Sequence, residues 1–121
     1  MSFKNNTKIG RKGEDIAIQF LLENSYEIVK RNYYSNQGEI DIIALDDEEL
    51  VFIEVKTRVR DLETALASMS PTKCKKIIRT AEDFLSKNSR FEDHFTRFDL
   101  LVVILNSKEP VIHHIKEAIS F

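Results

Sequence analysis

Two short segments, Gly38-Glu39-Ile40-Asp41 and Phe52-Ile53-Glu54-Val55-Lys56, place carboxylates and an ammonium group among apolar residues of strand type. If the two runs form a hairpin whose loop is Asp47 and Glu48, Asp46 faces Glu49 and Ile43 faces Phe52. Asp41 then lies opposite Glu54, and Glu39 opposite Lys56. Like charges opposed on neighbouring strands, with Cβ atoms about 5 Å apart, destabilise a sheet unless something neutralises them. A divalent cation does so. Carboxylates are hard oxygen ligands of the kind Mg²⁺ or Mn²⁺ takes, and Lys56, one alternate position beyond Glu54, points to the same side, where it orients a water or neutralises a phosphate. Glu14 adds a third carboxylate from the edge of a helical apolar stripe. Together they suit phosphodiester hydrolysis.

Each of these residues has an ordinary structural reading. One isolated acid–lysine pair is more often a solvated ion pair that contributes little. An acid near a helix N-terminus, such as Glu14, is favoured there by the helix dipole alone. Three acids converging on an apolar face favour the metal site over both readings, with Glu39 taken as a partner for Lys56.

The elements that must position these groups follow from periodicity. Ile9, Gly13, Ile16, Ala17, Phe20 and Leu21 recur at helical spacing, which predicts an amphipathic helix over 6–24, capped by Asn6 or Thr7. Residues 26–33 read as extended, and strands follow over 38–46 and 49–57 around the acidic turn. Residues 61–69 read as a loop or short helix. Ser70-Pro71 is a helix start, with serine as N-cap and proline at the first position, and Cys74, Ile77, Ile78, Ala81, Phe84 and Leu85 make the apolar stripe of a helix ending near Asn88. The nearly continuous apolar run 98–105 is a strand with both faces covered, and 111–115 a last short strand. The fold expected is α/β, a mixed central sheet flanked by helices in the order αβββαββ, and residues 1–121 form a single domain.

Composition bounds the function. The chain has 121 residues, 42% of them hydrophobic, which fits one core. Its 18 Lys and Arg nearly balance 20 Asp and Glu, for a net charge of −2, so any nucleic-acid surface must be local. The lone Cys74 allows no intramolecular disulfide and reads as a small core residue of a protein in a reducing compartment. No apolar stretch reaches the length of a secretion signal or a membrane span, so a cytoplasmic protein with no membrane association is expected. No Cys/His spacing suits zinc, no Ser-His-Asp arrangement stands out, and His113 and His114 point to opposite faces of a strand. GRKGE has too few glycines for a phosphate-cradling loop.

Basic residues group in three places. Lys4, Lys8, Arg11 and Lys12 share a face near the start of the first helix. Lys75, Lys76 and Arg79 share a face of the second, with Thr72. Arg58 and Arg97 lie nearest the acids by motif position and are the stronger choices for a substrate phosphate.

The segments GRKGEDIAIQFL, RNYYSNQGEIDIIALD, VFIEVKTR and RFDLLVV, in this order, resemble the YraN-like family of small bacterial proteins. That family is related to archaeal-type Holliday-junction resolvases within the PD-(D/E)xK nuclease superfamily. The resemblance spans nearly the whole chain and implies a restriction-endonuclease-like fold. It also implies an Mg²⁺- or Mn²⁺-dependent endonuclease acting on DNA, with branched or junction DNA among the candidates. On it, Asp41, Glu54 and Lys56 become catalytic positions, and Glu14, Asp41 and Glu54 the metal set. Ile40 departs from the superfamily, many of whose members carry proline there. Related resolvases act as homodimers, which suits a substrate with two strands to cut. The competing reading is a nucleic-acid-binding or partner-docking module that keeps the fold without cleaving.

Overall fold

The structure, a computed structural model, describes the backbone of residues 3–106 and 108–119, with side chains from Lys8 onward within those ranges. Helix α1 (Phe3–Glu23) leads into strands β1 (Glu27–Ser35), β2 (Gly38–Asp46) and β3 (Glu49–Arg58). Helices α2 (Leu62–Ala67) and α3 (Pro71–Lys87) follow, then a 3-10 turn at Ser89–Phe91 and strands β4 (Phe95–Ile104) and β5 (Val111–Ile115). The strands form one mixed sheet in the order β1-β2-β3-β4-β5, parallel only between β3 and β4. This is the α/β arrangement expected, with α2 in the segment read as a loop or short helix, and it is compatible with a restriction-endonuclease-like fold.

Local chemistry accounts for the element ends. Ser70 accepts a hydrogen bond from the Lys73 backbone N–H, and Pro71 occupies the first turn of α3, where its missing N–H costs nothing. Asp61 caps α2 by accepting from the Glu63 N–H. Asp47, at φ 54°, takes the left-handed turn conformation that short polar residues tolerate, and closes the hairpin between β2 and β3. Helix α1 begins at Phe3, so Asn6 and Thr7 lie within it rather than capping it. Their side chains, with that of Lys4, lie outside the described residues. Strand β4 starts at Phe95, earlier than its apolar run, because the parallel ladder with β3 recruits exposed residues from Glu49 opposite Phe95 onward.

Period-two alternation divides the core between the two faces of the sheet. Ala17 and Leu21 of α1 pack on Ile42, Ala44, Val51, Ile53, Leu101 and Val103. Ile77, Ala81 and Phe84 of α3 pack on Ile43, Leu50 and Phe52 from the other side. Beyond α3, Ala65 of α2 covers Leu100, Val102 and Ile104. Each fully buried aliphatic chain contributes about 1.5–3 kcal/mol. Ile40 breaks the alternation, since it packs with Ile43 on the α3 side although it is two residues from Ile42 on the α1 side. Strand β2 therefore twists at Ile40-Asp41. No helix among the described residues is long and apolar enough to cross a membrane.

Candidate active site

The expected hairpin register holds from Asp46 opposite Glu49 to Ile42 opposite Ile53, where the ladder between β2 and β3 ends. Past that point β2 stays paired with β1, through Ile40 opposite Tyr33 and Glu39 opposite Tyr34. Strand β3 stays paired with β4, through Glu54 opposite Leu100 and Lys56 opposite Val102. The sheet therefore opens into a fork, and the acids expected to face one another across a ladder line the fork instead. Freed from the ladder, the Val55 N–H donates to Asp41 Oδ2 at 2.8 Å, so a side-chain carboxylate takes the place of a strand carbonyl.

Asp41 is only 7% exposed. Burial, then the neighbouring charge of Glu54, push its pKa up to about 8, against the Val55 hydrogen bond and with smaller contributions from Glu14 and Glu39. Glu54 is compensated on one oxygen by two ammonium groups, Lys56 Nζ at 3.4 Å and Lys73 Nζ at 3.2 Å. Burial, and then the proximity of Lys73, lower the Lys56 pKa, while Glu54 acts in the opposite direction. For Lys73 burial also opposes the charge, but the Glu54 carboxylate prevails and raises its pKa.

Glu14 comes to the fork because α1 packs directly on the end of β3. A Cβ at Gly13 would stand 1.8 Å from Thr57 Oγ1, so only glycine allows this approach. Burial raises the Glu14 pKa, and its carboxylate lies 3.7 Å from Arg31, which also binds Asp15 at 2.9 Å. Two grooves flank Glu14 and share Gly10. One, of about 480 Å³, is lined by Lys56, Thr57 and Arg58, and the other, of about 490 Å³, by Arg11, Arg31, Tyr34 and Glu39. Among the described residues no three His, Cys, Asp or Glu side chains are gathered tightly enough to hold a metal ion, so Glu14 does not complete a three-acid cage with Asp41 and Glu54.

The other expected residues divide by location. Arg58 lies in the groove beside Lys56, with its Nη1 donating to the Thr57 carbonyl at 2.9 Å. Lys75, Lys76 and Arg79 are exposed on α3, and Lys76 lies over the start of β2, its Cβ 3.7 Å from where a Gly38 Cβ would be. Glu39 lies on the β1 side, interacting with Tyr34 rather than Lys56. Arg97 departs from expectation. It is 6% exposed and binds Asp99 at 2.9 Å, Asp46 and Glu49 at 3.1 Å, and the Tyr26 hydroxyl at 3.0 Å. The parallel register sets Arg97 opposite Val51, toward the acidic turn and away from Lys56. Its guanidinium is consumed by structural acids and is not available to a substrate phosphate. Asp99, buried in the same network, also binds His114 Nε2 at 2.7 Å and accepts from the Glu117 N–H. Two participants at the fork were missed in the sequence, Lys73 and Arg31. The sole hint of Lys73 was its place three residues before Lys76.

A family model described as uncharacterised protein family UPF0102 matches residues 13–103. A UPF0102 protein of Prosthecochloris aestuarii is 43% identical over 117 residues, 91% of each chain. One from Caldicellulosiruptor bescii is 38% identical over 118 residues, 94% of this chain and 98% of the relative. One from Dictyoglomus turgidum is 39% identical over 111 residues, 90% of this chain and 92% of the relative. The matched range takes in Gly13, Glu14, Arg31, Asp41, Glu54, Val55, Lys56 and Lys73, the residues described at the fork. The chain belongs to the UPF0102 family, the YraN family that its sequence segments resemble.

Proposed function

We propose that this protein is a divalent-metal-dependent endonuclease acting on DNA, with branched or junction DNA among its substrates. The observation that carries the reading is the fork itself. The ladder stops where Asp41, Glu54 and Lys56 meet, and open grooves lie on both sides of Glu14. A sheet that only needed stability would continue its ladder and leave no buried acid beside another.

The residues fit Mg²⁺ or Mn²⁺ in one respect that bears on the chemistry. The charges of Glu54, Glu14 and Glu39 all disfavour ionised Asp41, and a divalent cation would relieve that excess. Mg²⁺ is commonly held by one or two carboxylates, with water and substrate phosphate completing its octahedron, so Asp41 and Glu54 suffice without a three-acid cage. Bound there, the ion would supply Lewis-acid stabilisation of the phosphate charge. The chain's own groups do the rest. The Val55 N–H fixes the orientation of Asp41. Lys56, its pKa lowered by burial, holds its proton less tightly than an exposed lysine and sits where it orients the attacking water or neutralises a phosphate oxygen. Arg58, in the adjoining groove, and Lys76, on the α3 side, serve the flanking phosphates.

A second reading, a DNA-binding or partner-docking module without cleavage, is favoured by the two lysines that already neutralise Glu54. Incubation of the pure protein with single-stranded, duplex, flapped and four-way DNA, each with Mg²⁺, Mn²⁺ or EDTA, separates the readings. Cleavage of at least one substrate that EDTA abolishes supports the nuclease. Survival of every substrate, with some retained at low salt, assigns the fold to binding.

A further inference from the structure

The open mouth of the fork, its cleft, is met by side chains of α1 on one side and by Lys73 of α3 on the other. On the α1 side the acids meet a single arginine, as Arg31 binds Glu14 and Asp15. On the α3 side two lysines converge on a single oxygen, Glu54 Oε1. Two ammonium groups share that one carboxylate oxygen, and the charge of nearby Asp41 also acts on Lys73. Lys73 is also the more exposed of the two, its side chain 34% accessible against 14% for Lys56. It projects from the first turn of α3, the helix whose next exposed face carries Lys75, Lys76 and Arg79.

We infer that Lys73 is a substrate-binding residue of this site, a phosphate ligand that rests on Glu54 until a divalent cation and a DNA strand enter. The assignment rests on the metal-and-phosphate reading of the fork. A cation that takes Glu54 competes with both ammonium groups. Lys56 is the more enclosed and stays within the cleft. Lys73 has a flexible four-carbon stem and an open path to solvent, so it swings to the nearest phosphate of the incoming strand, beside Lys76 on the same helix. The exchange keeps the cleft close to neutral when it is empty and leaves a free cation on its α3 wall when it is loaded. A lysine suits this task better than an arginine, because a compact point charge can leave one oxygen for another without breaking a bidentate fork.

Folding does not depend on this side chain at its helix end, since the cap bond to Ser70 uses the Lys73 backbone N–H. The test uses the full chain, its Lys73→Gln and Lys73→Ala variants, and Lys73→Arg, with circular dichroism confirming that each is folded. Mn²⁺ binding without DNA is measured by titration calorimetry. Binding of a fluorescein-labelled four-way junction, and of a duplex of the same sequence, is measured in Ca²⁺ across a salt series. Both neutral variants should bind Mn²⁺ about three- to tenfold more tightly, because a competitor for Glu54 is gone, a range that matches one partly exposed ion pair. They should bind DNA more weakly, with the slope of log affinity against log salt reduced by about 0.9, the value for one phosphate contact. Lys73→Arg should recover the DNA affinity and slope. Neutral variants with unchanged Mn²⁺ affinity and an unchanged DNA slope would overturn the assignment and leave Lys73 a structural ion-pair partner. So would an original protein that binds neither probe. If no DNA is cut but both binding signatures appear, the nuclease reading fails while the role of Lys73 in DNA binding stands.

Discussion

Asp41 and Val55 are joined across the open end of the hairpin by a side-chain bond, the Val55 N–H donating to Asp41 Oδ2 at 2.8 Å where a strand ladder would have used a carbonyl. This bond keeps the fork from exposing an unpaired amide, and it holds a carboxylate in a place where burial and Glu54 both disfavour its charge.

A pH dependence follows. Asp41 has an ordinary value of 3.8 and is pushed up to about 8 in the folded protein. Between those values the folded state binds a proton that the unfolded chain has released, so stability falls as pH rises through the window. Thermal melts of the metal-free protein should therefore show a loss on the order of a few kcal/mol from mildly acidic to mildly alkaline pH. Asp41→Asn should be free of this loss, because an amide does not titrate, and its oxygen can still accept from the Val55 N–H. It should melt at the same temperature or higher in EDTA at pH 8, and the stabilisation by Mg²⁺ seen for the original protein should shrink. A clear drop in melting temperature for Asp41→Asn in EDTA, with no Mg²⁺-dependent shift in the original, would remove the metal-site argument.

Lys56→Ala should leave the fold intact and lower metal-dependent DNA cleavage by about 10²- to 10⁴-fold, the usual contribution of a positioned proton-handling group. Single-turnover cleavage with excess protein is the appropriate measurement. Cleavage at the original rate would place the chemistry elsewhere.

Gly13 sets how closely α1 approaches the fork. Gly13→Ala forces a methyl group to within 1.8 Å of Thr57 Oγ1, which is impossible without moving the helix, and should cost about 1–3 kcal/mol. Because Thr57 supplies all three of the nearest atoms, Thr57→Gly should recover part of that loss in the double variant. Chemical denaturation of the two single variants and the double variant measures the coupling. Simple additivity would show that the contact does not govern the packing.

Arg97→Ala should be a stability variant. It strips the buried Asp99 of its main cation and should cost about 3–5 kcal/mol, as removal of one partner from a buried ion pair does. Any protein that remains folded should keep the salt dependence of DNA binding, since Arg97 lies toward the acidic turn and not in the cleft. A lowered salt slope in folded protein would return Arg97 to the substrate surface.

Lys76→Ala, by contrast, should leave the stability within about 0.5 kcal/mol of the original, as exposed substitutions usually do. It should weaken DNA binding with a slope lower by about one unit. An unchanged slope would assign that face of α3 to solvent.

The sequence by itself determined the hairpin register from Asp46 to Ile42, since Asp47 and Glu48 read as a two-residue turn and the loop length sets every pair that follows, Ile43 with Phe52 and Ala44 with Val51 among them. It also determined the start of α3, where Ser70 and Pro71 act through bonds within one turn. These are local interactions, and they can be read from neighbours in the chain. Only the tertiary structure decided where the ladder ends. The fork reflects β2 following β1 while β3 follows β4, and no pattern within either strand records that competition. The same holds for the two residues whose roles changed most. Arg97 and Lys73 both carry a cation on a defined element, but whether it meets the cleft depends on the parallel register of β3 with β4 and on how α3 rests on the sheet. Packing between residues far apart in sequence sets both, so Arg97 was drawn into a buried acid network and Lys73 was placed on Glu54.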